Sequence, residues 1–201
     1  MKPIPIETPI LVGPGESRIV YEPLGVIAVM GSWNFPMFTT LAPLVNVIAA
    51  GNAAIIKPSE LAPHSSRAMG KLLSSCLDPE LYSCIEGKVQ VAVALTSAKV
   101  DGICFTGSTE KGKLVAQAAA KNLVPCLLEL GGKSPLIVDK GCDLDNAAKK
   151  AAFGRFMNAG QACVAPDYVI VHRSLKDPFI AKVKHYIQAF WDDGRNKAAF
   201  G

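Results

Sequence analysis

The 201-residue sequence predicts an α/β fold built on a largely parallel sheet. Three observations support this prediction. Short apolar runs rich in β-branched residues alternate along the chain with longer helical patterns. Glycine or proline separates most of these segments. Half of the residues are hydrophobic and only 19% are charged, which is enough apolar material for a buried core.

The first repeating unit is a strand, a helix and a second strand. The apolar run 25–30 predicts a buried parallel strand. Residues 36–50 predict a helix with a proline in its first turn, and Gly51-Asn52 is a stop signal for that helix. Residues 53–56 predict the next strand, which a right-handed crossover should place beside the first.

The rest of the chain repeats this alternation. Further helices are predicted over about 63–76, 110–121, 143–157 and 177–190, and further strands over about 99–105, 125–130, 135–138 and 168–172. No internal repeat or low-complexity tract interrupts the series. The alternation of the two element types is what favours a parallel sheet with helical crossovers.

Charge and cysteine usage exclude several classes of protein. The formal net charge is +4, and no aromatic residues interleave with a basic run, so nucleic-acid binding is not predicted. The six cysteines contain no C-x-x-C pair, and with three histidines no metal-ligand spacing occurs. Free cysteines in apolar segments are typical of a reducing compartment, which indicates a cytoplasmic protein. Residues 1–15 lack the apolar run of a signal peptide.

The uncharged stretch 24–56 is long enough to be considered as a membrane span. Polar or helix-breaking residues interrupt it at Gly31, Asn34, Pro36, Pro43, Asn46, Gly51 and Asn52. We therefore interpret the stretch as a buried strand–helix–strand unit and keep a membrane span as the alternative.

Polar residues follow four of the predicted strands. They are Asn34 after the first strand, Lys57 and Glu60 after the second, Gly107-Ser108-Thr109 after the third, and Glu129 near the end of the fourth. Because the carboxyl ends of parallel strands share one edge of a sheet, we expect these four groups at the same edge, where ligands bind. Their convergence predicts a ligand site.

The segment Gly107–Gly112 places two glycines and two hydroxyl groups where a helix begins. Exposed N–H groups and the helix dipole favour an anion such as a pyrophosphate at this position. An ordinary capped turn between strand and helix explains the same residues, and the spacing is not that of a G-x-G-x-x-G fingerprint. The residues of this segment leave both interpretations open.

Cys163 and Glu129 are the two candidate catalytic side chains. Cys163 lies between Gly160, which ends a helix, and Pro166, which precedes a strand, so we expect it on a loop, where catalytic groups concentrate. A packed structural thiol is the alternative. Glu129 is an acid in the apolar segment 126–131, and a buried carboxyl that titrates near neutral pH is suited to general-base chemistry. A buried salt bridge to a lysine is the alternative for Glu129.

Five sequence blocks together resemble the signature blocks of the aldehyde dehydrogenase superfamily, in the family's order and spacing. They are Trp33-Asn34-Phe35-Pro36, Lys57-Pro58-Ser59-Glu60, Phe105-Thr106-Gly107-Ser108, Leu128-Glu129-Leu130-Gly131-Gly132-Lys133-Ser134-Pro135 and Gly160-Gln161-Ala162-Cys163. The stretch Val164-Ala165-Pro166-Asp167-Tyr168-Val169 is most similar to the class 3 branch, which acts on fatty and aromatic aldehydes. The resemblance implies a Rossmann-like NAD(P)-binding domain over 1–130 and part of an α/β catalytic domain over 131–201.

Roles for the candidate residues follow from this resemblance. Cys163 is implied as the nucleophile toward a small aldehyde, with the Asn34 amide and the Cys163 backbone N–H as donors to the oxyanion. Glu129 is implied as the base that activates water to release the acid from a Cys163 thioester. The implied cofactor is NAD, with NADP also accepted, and no metal is expected. The implied cofactor-binding residues are Trp33, Lys57, Glu60, Gly107, Ser108, Thr109, Glu110, Lys111 and Gly112.

The resemblance covers about the middle half of a family member, so we expect a fragment or a truncated paralogue. A block resembling Glu-Ile-Phe-Gly-Pro, whose glutamate binds the nicotinamide ribose in the family, does not follow Cys163. Three functions stay open: an aldehyde dehydrogenase, an acylating relative that transfers the thioester to coenzyme A, and a non-catalytic nucleotide-binding module. Glu129 argues against the acylating relative, which generally lacks this base. The full-length relative implies a homodimer, and membrane attachment through a tail beyond residue 201 stays open.

Overall fold

The computed structural model describes residues 2–191, which form two compact units that divide between Glu129 and Leu130. In the first unit, a five-stranded parallel sheet is accompanied by a two-stranded antiparallel ribbon. The second unit contains a two-stranded parallel sheet with helices packed on it. Strands and helices alternate along both units, which confirms the predicted α/β fold with a parallel sheet.

The elements of the first unit have the following bounds: β1 Ile4–Ile6, β2 Ser17–Ile19, β3 Val26–Met30, α1 Pro36–Ala49, β4 Ala53–Lys57, α2 Pro63–Cys76, β5 Tyr82–Cys84, α3 Val89–Ser97, β6 Gly102–Thr106, α4 Thr109–Ala120 and β7 Cys126–Glu129. Those of the second unit are β8 Ser134–Val138, α5 Leu144–Phe156, β9 Pro166–Val171 and α6 Lys176–Trp191. Short 3₁₀ turns lie at Ile10–Val12 and Arg173–Leu175, and an irregular turn lies at Met157–Gly160.

The five-stranded sheet has the order β5-β4-β3-β6-β7, so β3 lies at its centre. Helices cover both faces of β3, which explains its continuous apolar sequence. On one face, Ile27 and Val29 pack with Leu44 of α1 and Leu73 of α2. On the other face, Ala28 and Met30 pack with Leu95 of α3 and Val115 of α4. The core of the first unit therefore consists of two apolar layers, one on each side of the sheet.

The strand register aligns the ends of the four neighbouring strands. Met30 at the end of β3 pairs with Lys57 of β4 and with Phe105 of β6. Thr106 of β6 pairs with Glu129 of β7. These three pairings are parallel, so the carboxyl ends of the four strands lie at one edge of the sheet.

In the second unit, β8 and β9 pair in parallel, and α5 and α6 pack against them. Val138 of β8, Ala148 of α5 and Phe179 of α6 are the buried centre of this packing. Asp143 caps α5, because its side chain accepts hydrogen bonds from the backbone N–H groups of Asp145 and Asn146, each at 3.1 Å.

Segment 24–56 forms β3, α1 and β4, which confirms the strand–helix–strand interpretation. Within residues 2–191, no helix has the length and apolarity that crossing a membrane requires. Four elements of the first unit were not predicted, namely the strands β1, β2 and β5 and the helix α3. The predicted elements are present, the helix over 63–76 with the same bounds and the others with bounds shifted by a few residues.

Gly25, directly before β3, is a position where a side chain is not tolerated. Its φ is +129°, and an added β-carbon would overlap the Asp101 carboxylate, whose Oδ2 accepts a hydrogen bond from Val26 N at 2.8 Å. Gly25→Ala should lower the free energy of unfolding by about 1–3 kcal/mol, through backbone strain and the displaced carboxylate. Urea denaturation measures this change. Gly15→Ala is the control, because a β-carbon there meets nothing within 4 Å; equal midpoints for the two variants would contradict the prediction.

Candidate active site

Within the first unit, the predicted site residues lie at the carboxyl edge of the five-stranded sheet. β3 leads into Asn34, β4 ends at Lys57, β6 leads into Gly107 and β7 ends at Glu129. The parallel order β4-β3-β6-β7 aligns these four positions, as expected from their places after the strands. The chemical role of each residue stays a prediction.

Lys57 and Glu60 form an ion pair at this edge. Lys57 is only 4% exposed, and its Nζ donates to Glu60 Oε2 at 2.8 Å and to the Pro58 carbonyl at 3.1 Å. A buried ammonium group is tolerated only when acceptors surround it, and these two oxygens supply them. The pair therefore holds both side chains at the position predicted for a ribose.

Glu60 carries a negative charge at neutral pH. Partial burial by itself would raise the pKa of Glu60, but the hydrogen bond and the charge of Lys57 outweigh it and hold this pKa below its usual value. The result is an ionised carboxylate that can accept hydrogen bonds from ribose hydroxyls. The same charge repels an added phosphate.

The N-terminus of α4 follows β6 at the same edge. Ser108 is its N-cap, and its Oγ accepts a hydrogen bond from Lys111 N at 3.3 Å. The segment Ser108–Lys111 is exposed, whereas Gly112 is buried. Gly107 requires the absence of a side chain, because a β-carbon there would approach the Phe105 ring within 3 Å. The first turn of α4 is exposed and Ser108 caps it, so the binding of an anion there stays a prediction.

Trp33 and Asn34 lie in the loop between β3 and α1. Trp33 is 47% exposed and Asn34 is half-buried. The Ser32 hydroxyl lies 2.6 Å from Asn34 Oδ1. This contact of Ser32 with the predicted oxyanion donor was not foreseen.

Glu129 is exposed, so the expected burial of this carboxylate is wrong for the described chain. β7 is the edge strand of the sheet, and its residues alternate between half-buried and exposed positions. Glu129 therefore shares its face with the exposed Leu127 and not with the core. None of the ion pairs among the described residues includes Glu129. The Glu129 carboxylate is accessible to water.

Cys104 is a packed structural thiol, as its apolar segment indicated. It is 6% exposed. Burial raises the pKa of its thiol, and the charge of the nearby Glu129 carboxylate raises this pKa further. Cys126 is half-buried, and burial likewise raises the pKa of that thiol. Both thiols therefore stay protonated at neutral pH, and the thiolate is the nucleophilic form.

Cys163 lies on a loop of the second unit and is exposed, as predicted. The turn that carries it is closed by a hydrogen bond from Ala165 N to the Ala162 carbonyl at 3.1 Å. Directly before the turn, Asn158, Ala159 and Gly160 adopt left-handed backbone conformations with φ of 51°, 55° and 76°. Three such residues in succession persist only where the surrounding structure holds them.

Two features of the second unit hold the Cys163 turn, and sequence reasoning found neither. Gly132 lies against the Cys163 carbonyl oxygen, and a β-carbon on Gly132 would overlap it. Asp167 in β9 pairs with Lys133 at 2.9 Å and with Arg155 at 3.8 Å, which links three segments that flank the turn. The doublet Gly131-Gly132 was the sequence signal available for this contact, because glycine allows the close approach of two backbones.

The residues that the structure describes contain no cluster of three or more histidine, cysteine, aspartate or glutamate side chains suited to a metal ion.

Residues 9–198 match the profile of the aldehyde dehydrogenase family. Aldehyde dehydrogenase family 3 member A2 of Mus musculus is 44% identical over 178 residues, which are 89% of this chain and 37% of that protein. The dimeric NADP-preferring aldehyde dehydrogenase of Mus musculus is 46% identical over 181 residues, which are 90% of this chain and 40% of that protein. These matches confirm the resemblance to the family and to its class 3 branch.

The fold is also similar to a solved structure. AldH of Staphylococcus aureus in a substrate-bound state has a TM-score of 0.90 and 42% identity, over 94% of this chain and 42% of that one. This chain thus spans about two fifths of the length of the relatives that it matches.

Gly132→Ala should displace the Cys163 turn, because the new β-carbon overlaps the Cys163 carbonyl oxygen. We expect a loss of about 1–3 kcal/mol in the free energy of unfolding and a changed rate of Cys163 alkylation. Urea denaturation and peptide-resolved thiol labelling measure the two effects. Gly131→Ala is the matched control, since a β-carbon there meets nothing within 4 Å; identical labelling rates in both variants would refute this role of Gly132.

Glu60→Gln should destabilise the protein at neutral pH and have no effect in acid. Because the folded pKa of Glu60 is lowered, its stabilising contribution is complete above the ordinary value of 4.5 and is lost as the pH falls through the folded value. The difference at pH 7 should stay below about 1 kcal/mol, since Glu60 is partly exposed. Thermal denaturation at pH 7 and pH 3 measures it, with the exposed Glu80→Gln as control. A difference that persists undiminished at pH 3 would exclude the ion pair as its cause.

Proposed function

This chain belongs to the aldehyde dehydrogenase family, and from that premise we propose that it oxidises aldehydes to carboxylic acids through a thioester on Cys163, with a nicotinamide nucleotide as oxidant. Its relatives are enzymes. The proposal rests on one observation above all: a single sheet edge carries an amide, a lysine–glutamate pair, a capped helix N-terminus and a carboxylate. Because the chain spans about two fifths of its relatives, turnover by these 201 residues is itself part of the proposal.

The residues at this edge fit a nicotinamide nucleotide. The exposed first turn of α4 offers N–H groups and a positive dipole end for the pyrophosphate. The carboxylate of Glu60, held by Lys57, accepts hydrogen bonds from the adenine ribose hydroxyls. When bound, the nicotinamide ring accepts the hydride that leaves the substrate carbon.

The charge of Glu60 favours NAD over NADP. An ionised carboxylate beside the ribose would repel the 2′-phosphate of NADP. The Mus musculus relative named NADP-preferring indicates that this preference differs within the branch. We therefore propose that NAD is the preferred cofactor and that NADP is also accepted.

Cys163 performs the covalent chemistry in this proposal. Its exposed thiol, as thiolate, attacks the aldehyde carbonyl carbon, and the carbonyl oxygen becomes an oxyanion. The Asn34 side-chain amide and the Cys163 backbone N–H are the proposed donors to this oxyanion. A single donor of this kind contributes about 10²–10³ in rate. Loss of hydride from the carbon then leaves a thioester on Cys163.

Glu129 completes the cycle in this proposal. Its exposed carboxylate can accept a proton from water, which attacks the thioester carbonyl. The Cys163 sulfur then leaves as thiolate, and the carboxylic acid is released. This base distinguishes the proposed hydrolytic enzyme from an acylating one that passes the thioester to coenzyme A.

Nucleotide binding without catalysis is the second candidate function. All the residues proposed to bind the nucleotide lie in the first unit, whereas Cys163 lies in the second. Binding therefore does not require the thiol. We also propose a small aldehyde as substrate, a cytoplasmic location, and a homodimer for the full-length protein, because a Mus musculus relative is named dimeric.

Three substitutions test the catalytic proposal. The chain is mixed with NAD and a medium-chain aldehyde, and reduced cofactor is followed by absorbance. Cys163→Ala should abolish turnover, and Asn34→Ala should lower kcat by about 10²–10³. Glu129→Gln should allow the first chemical step and accumulate an acyl adduct on Cys163, which intact-mass measurement detects.

Cys142→Ala is the matched control, because Cys142 is another exposed thiol of the second unit. It should leave turnover unchanged. Turnover that survives Cys163→Ala would exclude Cys163 as the nucleophile. Absence of turnover in the unsubstituted chain, together with measurable NAD binding, would favour the nucleotide-binding module.

A further inference from the structure

The loop after β3 contains a buried hydroxyl against the Asn34 amide. Ser32 is only 8% exposed, and its Oγ lies 2.6 Å from Asn34 Oδ1 and 3.2 Å from Thr39 Oγ1. The Ser32 hydroxyl has one proton to donate, so it can donate to only one of these two partners. The atom that receives the proton must be an acceptor, which fixes the orientation of the group that carries it.

The distances assign that proton to Asn34. A separation of 2.6 Å lies within the O–H···O range and is shorter than N–H···O bonds ordinarily are. The amide atom facing Ser32 is therefore the oxygen, which accepts, and not the nitrogen. The amide nitrogen Nδ2, which is the donor end, lies on the other side of the Asn34 amide group.

Thr39 supports the same assignment. Its Oγ1 donates to the Phe35 carbonyl at 3.0 Å in the first turn of α1, which uses its proton. The same oxygen accepts a hydrogen bond from Ser32 N at 3.0 Å. Thr39 therefore holds the Ser32 backbone against α1 and does not donate to Ser32 Oγ.

We propose that Ser32 is a positioning residue, which holds the Asn34 amide with Oδ1 accepting from the Ser32 hydroxyl and Nδ2 as the donor for the substrate oxyanion. This inference rests on the proposed function and deepens it. A rotated amide would place oxygen lone pairs against a developing negative charge, which opposes the reaction. A fixed amide requires no reorganisation when the charge develops.

Ser32→Ala tests the inference, since it removes the hydroxyl and retains the backbone bond to Thr39. We expect kcat to fall about 3- to 10-fold, with the KM for NAD unchanged, against a loss of about 10²–10³ for Asn34→Ala. Ser32→Thr keeps the hydroxyl and should restore kcat. Thr96→Val is the matched control, because it removes a buried hydroxyl that donates to the Val93 carbonyl at 3.1 Å in α3.

A second readout does not depend on turnover. In nuclear magnetic resonance spectra of the ¹⁵N-labelled chain, the Asn34 side-chain amide should have a high order parameter, which falls in Ser32→Ala and not in Thr96→Val. An unchanged order parameter together with unchanged kcat would overturn the inference. If neither the unsubstituted chain nor any variant oxidises aldehydes, the proposed function fails, while the order parameter still tests whether Ser32 holds the Asn34 amide in place. If Asn34→Ala turns over normally, the oxyanion role of Asn34 is wrong and the inference falls with it.

Discussion

The parallel pairing of β3 with β4 and β6 is the constraint on which the candidate site depends. Backbone hydrogen bonds place Met30 beside Lys57 and Phe105, so the three strands end together. Both faces of β3 are buried by helices, and a slip of one residue would exchange these faces for every side chain. The loops that follow these strands therefore begin at the same edge of the sheet. Asn34, the Lys57–Glu60 pair and the start of α4 therefore all follow strands that end at the same edge of the sheet, although they are distant in sequence.

The thiol of the second unit depends on a different constraint. Its turn follows three residues with left-handed backbone, and such a path is unfavourable unless contacts determine it. Gly132 allows the close approach of the Cys163 carbonyl, and Asp167 links two cations on the flanking segments. Because the side chain of Cys163 is not needed for packing, it is exposed and can react. An exposed thiol on a turn held by such contacts is compatible with the nucleophilic role proposed for Cys163.

Some helices and strands could be predicted from the sequence, and others could not. The helix predicted over 63–76 has those same bounds in the structure, because proline begins it and its apolar residues recur at helical spacing. In contrast, α3 has the sequence Val-Gln-Val-Ala-Val in its first half, which alternates like a strand, and its helical form accompanies the packing of Leu95 in the core. The three-residue strand β5 exists through its pairing with β4 and has no sequence pattern of its own.

The sequence by itself determined the fold class, the family and the chemical identity of the candidate groups. Periodicity, capping residues and the five motif blocks are local signals, and each is readable without knowing what packs against it. Only the tertiary structure decided that Glu129 is exposed, that the Ser32 hydroxyl contacts the Asn34 amide, and that Gly132 lies against the Cys163 carbonyl. These facts depend on which strand is at the edge of a sheet and on which segments meet across a turn. Burial and hydrogen-bond direction are properties of such non-local contacts, so the order of residues along the chain does not specify them.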